Sequence, residues 1–202
     1  MKQIAIFASG SGTNAENIAR YFRNHPAIKV SLILANKPDA YVLERAKNLG
    51  IPSYVFNRQE FYESEKVLDL LIQNNINFLV LAGFLWLVPD YLLKAYPNRI
   101  INIHPALLPK FGGKGMYGEK VHQAVISSGE KRTGISIHYV NEHYDEGQII
   151  FQESFEIEPG ATPESIAQKV HKLEYEHFPK VIEKVVLGNR PYPIPPPAGG
   201  GR

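Results

Sequence analysis

Over its first hundred residues the chain alternates short apolar runs with longer amphipathic stretches, and this alternation leaves few folds open. Residues 4–8, 29–35, 78–82 and 100–103 are apolar and strand-length, with a shorter β-like piece at 53–56. Between them lie helical patterns. Residues 14–24 place Ile18 and Phe22 four apart, and 42–49 stop at Gly50, a natural C-cap. Residues 61–73 align Val67, Leu68, Leu71 and Ile72 on one stripe. Strands buried on both faces and separated by helices predict a parallel sheet covered on both sides.

The second half changes character. Residues 135–140 and 149–153 are joined by a loop too short for a crossover helix, so they are expected to pair antiparallel. Thr162, Pro163 and Glu164 have the chemistry of a helix start, for a helix running to about residue 187, before Gly188. The expected fold is therefore α/β: a Rossmann-like, mostly parallel twisted sheet with helices on both faces and an antiparallel extension in the C-terminal half. A chain of 202 residues suits one domain, residues 1–190, followed by a Pro/Gly-rich tail, 191–202, expected to be flexible.

Composition removes several function classes. Lys and Arg number 22 against 20 Asp and Glu, a net charge of +2 that gives no field for a polynucleotide. No cysteine is present, which excludes disulfides, thiol nucleophiles and thiolate metal sites. His25, His122, His143 and His177 show no ligand spacing with acids, so no metal site is expected. The short apolar start is not a signal peptide, and no window is long enough to span a bilayer; a cytoplasmic location is expected, with no membrane partner.

Two segments carry chemistry. Ser9-Gly10-Ser11-Gly12-Thr13-Asn14-Ala15 follows a strand and opens a helix. Such a loop is either a tight turn with an Asn cap or an anion cradle of backbone N–H groups, and the coincidence of turn, helix start and side-chain donors favours the anion. The spacing also fits a dinucleotide fingerprint, but the end of the second strand reads Ala35-Asn36-Lys37, without the acid that holds ribose hydroxyls, and Asp39 comes three residues late. In Ile100-Ile101-Asn102-Ile103-His104-Pro105 an apolar strand suddenly carries two polar residues on one face, roughly 7 Å apart. At a strand's carboxyl end an amide and an imidazolium could stabilise an oxyanion; alternatively His104 is a satisfied core residue. Asp145, in the turn between the late strands, is either a hairpin residue or a carboxylate that orients His104 and raises its pKa. His138 shares one face of its strand with Ser136.

Ser9 to Asn14, Leu81-Ala82-Gly83-Phe84, Asn102-Ile103-His104-Pro105-Ala106-Leu107-Leu108-Pro109-Lys110 and the Asp145 loop occur in an order that resembles the phosphoribosylglycinamide formyltransferases, a family of folate-dependent formyl-transfer enzymes. The resemblance covers nearly the whole chain to about Arg190. It implies the formyltransferase fold and direct transfer of the formyl group of 10-formyltetrahydrofolate, a co-substrate, to the amine of 5'-phosphoribosylglycinamide in purine biosynthesis. It implies Asn102, His104 and Asp145 as catalytic residues, with His138 and Lys110 in support. It implies Gly12, Thr13 and Asn14 at the phosphate, and His171, Lys172, Leu173 and Glu174 at the ribonucleotide. For the folate it implies Arg58, Leu85, Trp86, Leu87, Val88, Asn102, Asn141, Glu142, His143, Tyr144 and Asp145. Partners would be small molecules, not nucleic acid, and the enzyme a monomer or homodimer.

Two departures stand out. Trp86 occupies a place where the family often has arginine, which would replace a charge contact to folate by an apolar or stacking one. The segment 110–118 is rich in glycine and is expected to act as a mobile flap or to be only a surface loop. Methionyl-tRNA formyltransferase resembles the chain at 102–109 but normally adds a C-terminal domain and lacks this phosphate loop. Formyltetrahydrofolate hydrolase usually carries an N-terminal regulatory domain, which is not expected here with a first strand starting at Lys2. A sugar N-formyltransferase, an NAD-dependent oxidoreductase and a non-catalytic nucleotide-binding module complete the alternatives.

Overall fold

A computed structural model of the chain describes residues 1–188; the expected tail at 191–202 lies outside the described residues. The strands are β1 (Lys2–Ala8), β2 (Ile28–Ala35), β3 (Ser53–Val55), β4 (Phe78–Leu81), β5 (Ile100–His104), β6 (Arg132–Tyr139) and β7 (Ile149–Glu156). They form one sheet in the order β3-β2-β1-β4-β5-β6-β7. The first five run parallel, and β6 and β7 are antiparallel, with Asn102 opposite His138 and His104 opposite Ser136.

Alternation along β1 divides the core. Ile4, Ile6 and Ala8 face one layer, Ala5 and Phe7 the other. The first layer is covered by α1 (Thr13–Tyr21), α2 (Val42–Leu49), α6 (Glu119–Ser127) and α7 (Pro163–Val186). The second is covered by α3 (Arg58–Tyr62), α4 (Lys66–Gln73) and α5 (Asp90–Ala95). There the rings of Phe7, Phe56, Phe61, Phe84 and Trp86 interlock, with Phe56 stacked on Phe61 at 4.8 Å. The fold matches the expected doubly covered sheet with its antiparallel extension.

The single helix expected over 61–73 is two. Asn57 and Glu60 form a reciprocal capping box that starts α3 early. Ser64 then donates its hydroxyl to the Glu60 carbonyl and accepts the Lys66 N–H, which diverts the backbone at the break. In α4 the buried stripe is Val67 and Leu71, while Ile72 is 61% exposed, because it lies five residues from Val67 and turns outward.

The terminal helix starts as its sequence predicts. Thr162 and Ser165 cap each other reciprocally, with Pro163 in the first turn. Pro179, inside the helix, has no N–H for the Tyr175 carbonyl. The Asn17 side chain of α1 donates to that carbonyl instead, at 2.9 Å. A helix defect is thereby repaired by the neighbour that frames the site.

Candidate active site

Chain connections leave β1 and β4 in opposite directions across the sheet, and a crevice opens where they part, at the strands' carboxyl ends. It is a cleft of about 960 Å³. Its floor is the loop after β1, the Ala82–Leu85 segment after β4 and the end of β5; α7, the 113–118 loop and the Tyr144–Asp145 turn form its walls. Two hydrogen bonds tie the first two loops together. Ser9 N–H donates to the Gly83 carbonyl, and Leu85 N–H donates to Ser9 Oγ, both at 3.0 Å.

The loop after β1 ends on Gly12, the N-cap of α1, with φ of 72° and no side-chain cap. The first-turn N–H groups therefore stay open toward the cleft, as an anion requires. Glycine is needed at position 12 twice over: for the left-handed backbone, and because a Cβ would stand 2.4 Å from Val42 Cγ2. Helix α2 holds the loop from behind. Val42 N–H donates to the Gly10 carbonyl, Arg45 Nε–H donates to the Ser11 carbonyl at 2.8 Å, and the Arg45 guanidinium pairs with Glu16.

Asn14 reaches from α1 to α7, where its amide donates to Glu174 Oε2 at 2.9 Å. His171 Nδ1 meets the same oxygen at 2.9 Å, and this carboxylate partner raises the His171 pKa above its ordinary value. Glu174 is buried with its head in the cleft, so it is not the solvated helix charge that sequence position alone suggests.

At the other end stand Asn102, His104, His138 and Asp145. Burial pushes the Asp145 carboxyl upward, but the neighbouring His138 and His104 and the Gly113 N–H, at 2.9 Å, together hold it below its ordinary value. His104 Nδ1 lies 3.5 Å from Asp145 Oδ2. The expected rise in the His104 pKa does not result. Burial dominates, the Asp145 charge offsets it only in part, and the pKa is lowered. His104 Nε2–H is aimed at an oxygen, the Phe111 carbonyl at 2.7 Å.

His138 Nδ1 must carry a proton, since it donates to the Tyr139 carbonyl at 2.8 Å. Asn102 Nδ2 lies 3.1 Å from His138 Nε2 and 3.4 Å from Asp145 Oδ1. To turn its N–H into the cleft the amide must rotate, and its Oδ1 then meets His138 Nε2. His138 Nε2 also stands 3.6 Å from Asp145 Oδ1.

Several residues named from the sequence fall elsewhere. Lys110 pairs with Glu130 at the surface, at 2.7 Å, and does not line the cleft. Lys172 and Leu173 do not line it either: steps of about 100° per residue leave His171 and Glu174 on the cleft side, put Lys172 in solvent and pack Leu173 on the core. Of the folate set, Leu85, Asn102, Tyr144 and Asp145 line the cleft. Trp86 sits in the aromatic cluster with Arg58 stacked 4.9 Å over its ring. The Leu87 carbonyl is taken by Tyr62 OH, and Val88 is buried in the second layer. Asn141 caps the turn by accepting the His143 N–H, which leaves Glu142 and His143 outside. In the sequence Ser9 stands out only as part of the glycine loop and His122 only as a histidine without metal-ligand spacing, while the Arg45 contact declares itself only in three dimensions.

Residues 2–182 match a family described as formyl transferase. A phosphoribosylglycinamide formyltransferase of Bacillus subtilis (strain 168) is 38% identical over 196 residues, covering 94% of this chain and 98% of that one. The chloroplastic phosphoribosylglycinamide formyltransferase of Arabidopsis thaliana is 40% identical over 90% of this chain, which spans only 64% of that longer protein. Among solved structures, phosphoribosylglycinamide formyltransferase from Bacillus halodurans superposes with a TM-score of 0.82 at 39% identity, covering 92% of this chain and 95% of that one.

Proposed function

The chain belongs to the formyl transferase family, and we propose that it transfers the formyl group of 10-formyltetrahydrofolate to the amine of 5'-phosphoribosylglycinamide, in purine biosynthesis. The observation that carries this reading is one cleft with an uncapped glycine-loop helix start at one end and the Asn102, His104, Asp145 set at the other. We assign the phosphate of one ribonucleotide to the first end and its reacting amine to the second. The apolar side near Phe84, Leu85 and Tyr144 suits the folate ring.

The amine attacks the formyl carbon, and negative charge develops on the formyl oxygen. His104 Nε2–H donates to that oxygen in place of the Phe111 carbonyl, so the 110–118 loop acts as a flap that yields its carbonyl when folate enters. Asn102, with its amide rotated into the cleft, supplies the second donor. Asp145 stays ionised between the two imidazoles; it orients them and takes the amine's proton through water. Such donors at about 2.7–3.1 Å from a developing oxyanion are each worth on the order of 10²–10³ in rate. The tetrahedral adduct then collapses, the C–N bond to folate breaks, and tetrahydrofolate leaves with the returned proton.

Direct transfer between two held substrates calls for no metal and no covalent enzyme intermediate. Among the described residues no group of three or more His, Asp or Glu could hold a metal ion, and no helix is long and apolar enough to cross a membrane. The protein acts in the cytoplasm on small molecules alone, as a monomer or homodimer. The test is product identity. Mass spectrometry should find formylated ribonucleotide only when both substrates are present, and formate released from folate without ribonucleotide would make the protein a hydrolase.

A further inference from the structure

Helix α6 buries three residues, Val121, His122 and Val125, and the polar one has no hydrogen-bond partner among the described residues. His122 is 4% exposed and lines the cleft. Its Nδ1 is buried with no hydrogen bond among the described residues. The other cleft imidazoles are engaged: His104 with the Phe111 carbonyl, His171 with Glu174. A buried polar ring left unpaired inside a protein is costly and calls for a partner.

The ring's tautomer follows from its surroundings. An orphaned N–H is rarer in protein interiors than an under-used acceptor, so the closed side, Nδ1, keeps the lone pair and the proton sits on Nε2. Burial, with the nearby His171, also lowers the His122 pKa, which keeps the ring neutral. It therefore offers one N–H to the cleft. It lines the same cleft as Glu174 and His171, on the side assigned to the ribonucleotide, and as His104, on the reaction side. A ribonucleotide with its phosphate at Gly12 and its amine near His104 puts its sugar and glycinamide between those points.

We propose that His122 is a substrate-binding residue that donates Nε2–H to an oxygen of the sugar–glycinamide portion of the ribonucleotide. The proposal rests on the function assigned to the cleft above. Its chemistry is that of an uncharged donor: it recognises a hydroxyl or carbonyl oxygen, and leaves the phosphate to the glycine loop.

The experiment titrates 5'-phosphoribosylglycinamide into the full chain by calorimetry and compares the wild type with His122→Phe and His122→Gln. His122→Phe should weaken binding roughly tenfold, the loss of one hydrogen bond, with the folate KM unchanged. His122→Gln, whose amide N–H reaches about as far as imidazole Nε2, should recover most of it. Wild-type affinity in a folded His122→Phe, or equal losses in both variants, would overturn the proposal. A wild type that binds no ribonucleotide would instead overturn the function of the cleft, and this proposal with it. Independently of any variant, ribonucleotide should shift the ¹⁵N resonance of His122 Nε2 while folate alone leaves it in place; an unmoved signal with ribonucleotide bound contradicts the assignment.

Discussion

Asn14 and Glu174 are 160 positions apart in sequence and share a 2.9 Å hydrogen bond at the end of the cleft proposed above for the ribonucleotide. This bond joins α1 to α7, and His171, also on α7, shares the same buried carboxylate oxygen. Removing it should act on substrate affinity rather than on chemistry. Glu174→Gln is expected to raise the ribonucleotide KM by about tenfold, equivalent to about 1.4 kcal/mol, with kcat changed far less. Steady-state kinetics with the ribonucleotide varied at saturating folate checks this.

Gly12 sets the start of α1 against α2. Gly12→Ala forces a Cβ into the left-handed region, at about 1–2 kcal/mol, and drives it into Val42 besides. Urea denaturation should show at least that loss of stability, and ribonucleotide affinity should fall as the loop shifts. An Arg45→Ala variant, which removes the Ser11 contact but adds no clash, should weaken affinity with less effect on stability.

Acid should destabilise the fold through its buried imidazoles. His104 and His122 both have pKa values lowered by burial, so below about pH 6.5 the unfolded chain binds more protons than the native one. Stability from these groups is complete above that pH and is lost as pH falls through the window beneath it. Thermal melting at pH 7.5 and 5.5 should show the drop, and His122→Phe should show a smaller one. His171, with its pKa raised, works in the opposite sense but is half exposed and contributes less.

Trp86 is tied to protein packing rather than to the cleft. Trp86→Ala should therefore reduce stability, by the loss of its contacts with Phe56, Phe61 and Arg58, more than it changes the folate KM. Melting temperatures and folate kinetics on the same variant separate the two.

Much of this was legible in the chain. Strand-length apolar runs placed β1, β2, β4 and β5, and the interruption of one by Asn102 and His104 pointed to residues that line the cleft. Thr162-Pro163 announced α7. What failed to show is governed by contacts made after folding. The split of α3 from α4 depends on where the Ser64 side chain turns, and α5 and α6 are too short or too mixed to stand out as periodic. The pKa of His104 is set by how much solvent the folded cleft removes, a quantity that no local pattern encodes, and this burial outweighs the rise that the Asp145 charge alone would cause. Lys110 and Lys172 sit beside site residues in sequence, yet point away because side-chain direction changes with every residue.

The central claim is tested most directly by following folate deformylation with 10-formyl-5,8-dideazafolate, with and without 5'-phosphoribosylglycinamide, in the wild type and in Asp145→Asn. The account predicts turnover that needs both substrates, and a loss in the variant on the order of 10²–10³ in kcat with ribonucleotide binding retained. Turnover without the ribonucleotide, or an unchanged rate in Asp145→Asn, would contradict it.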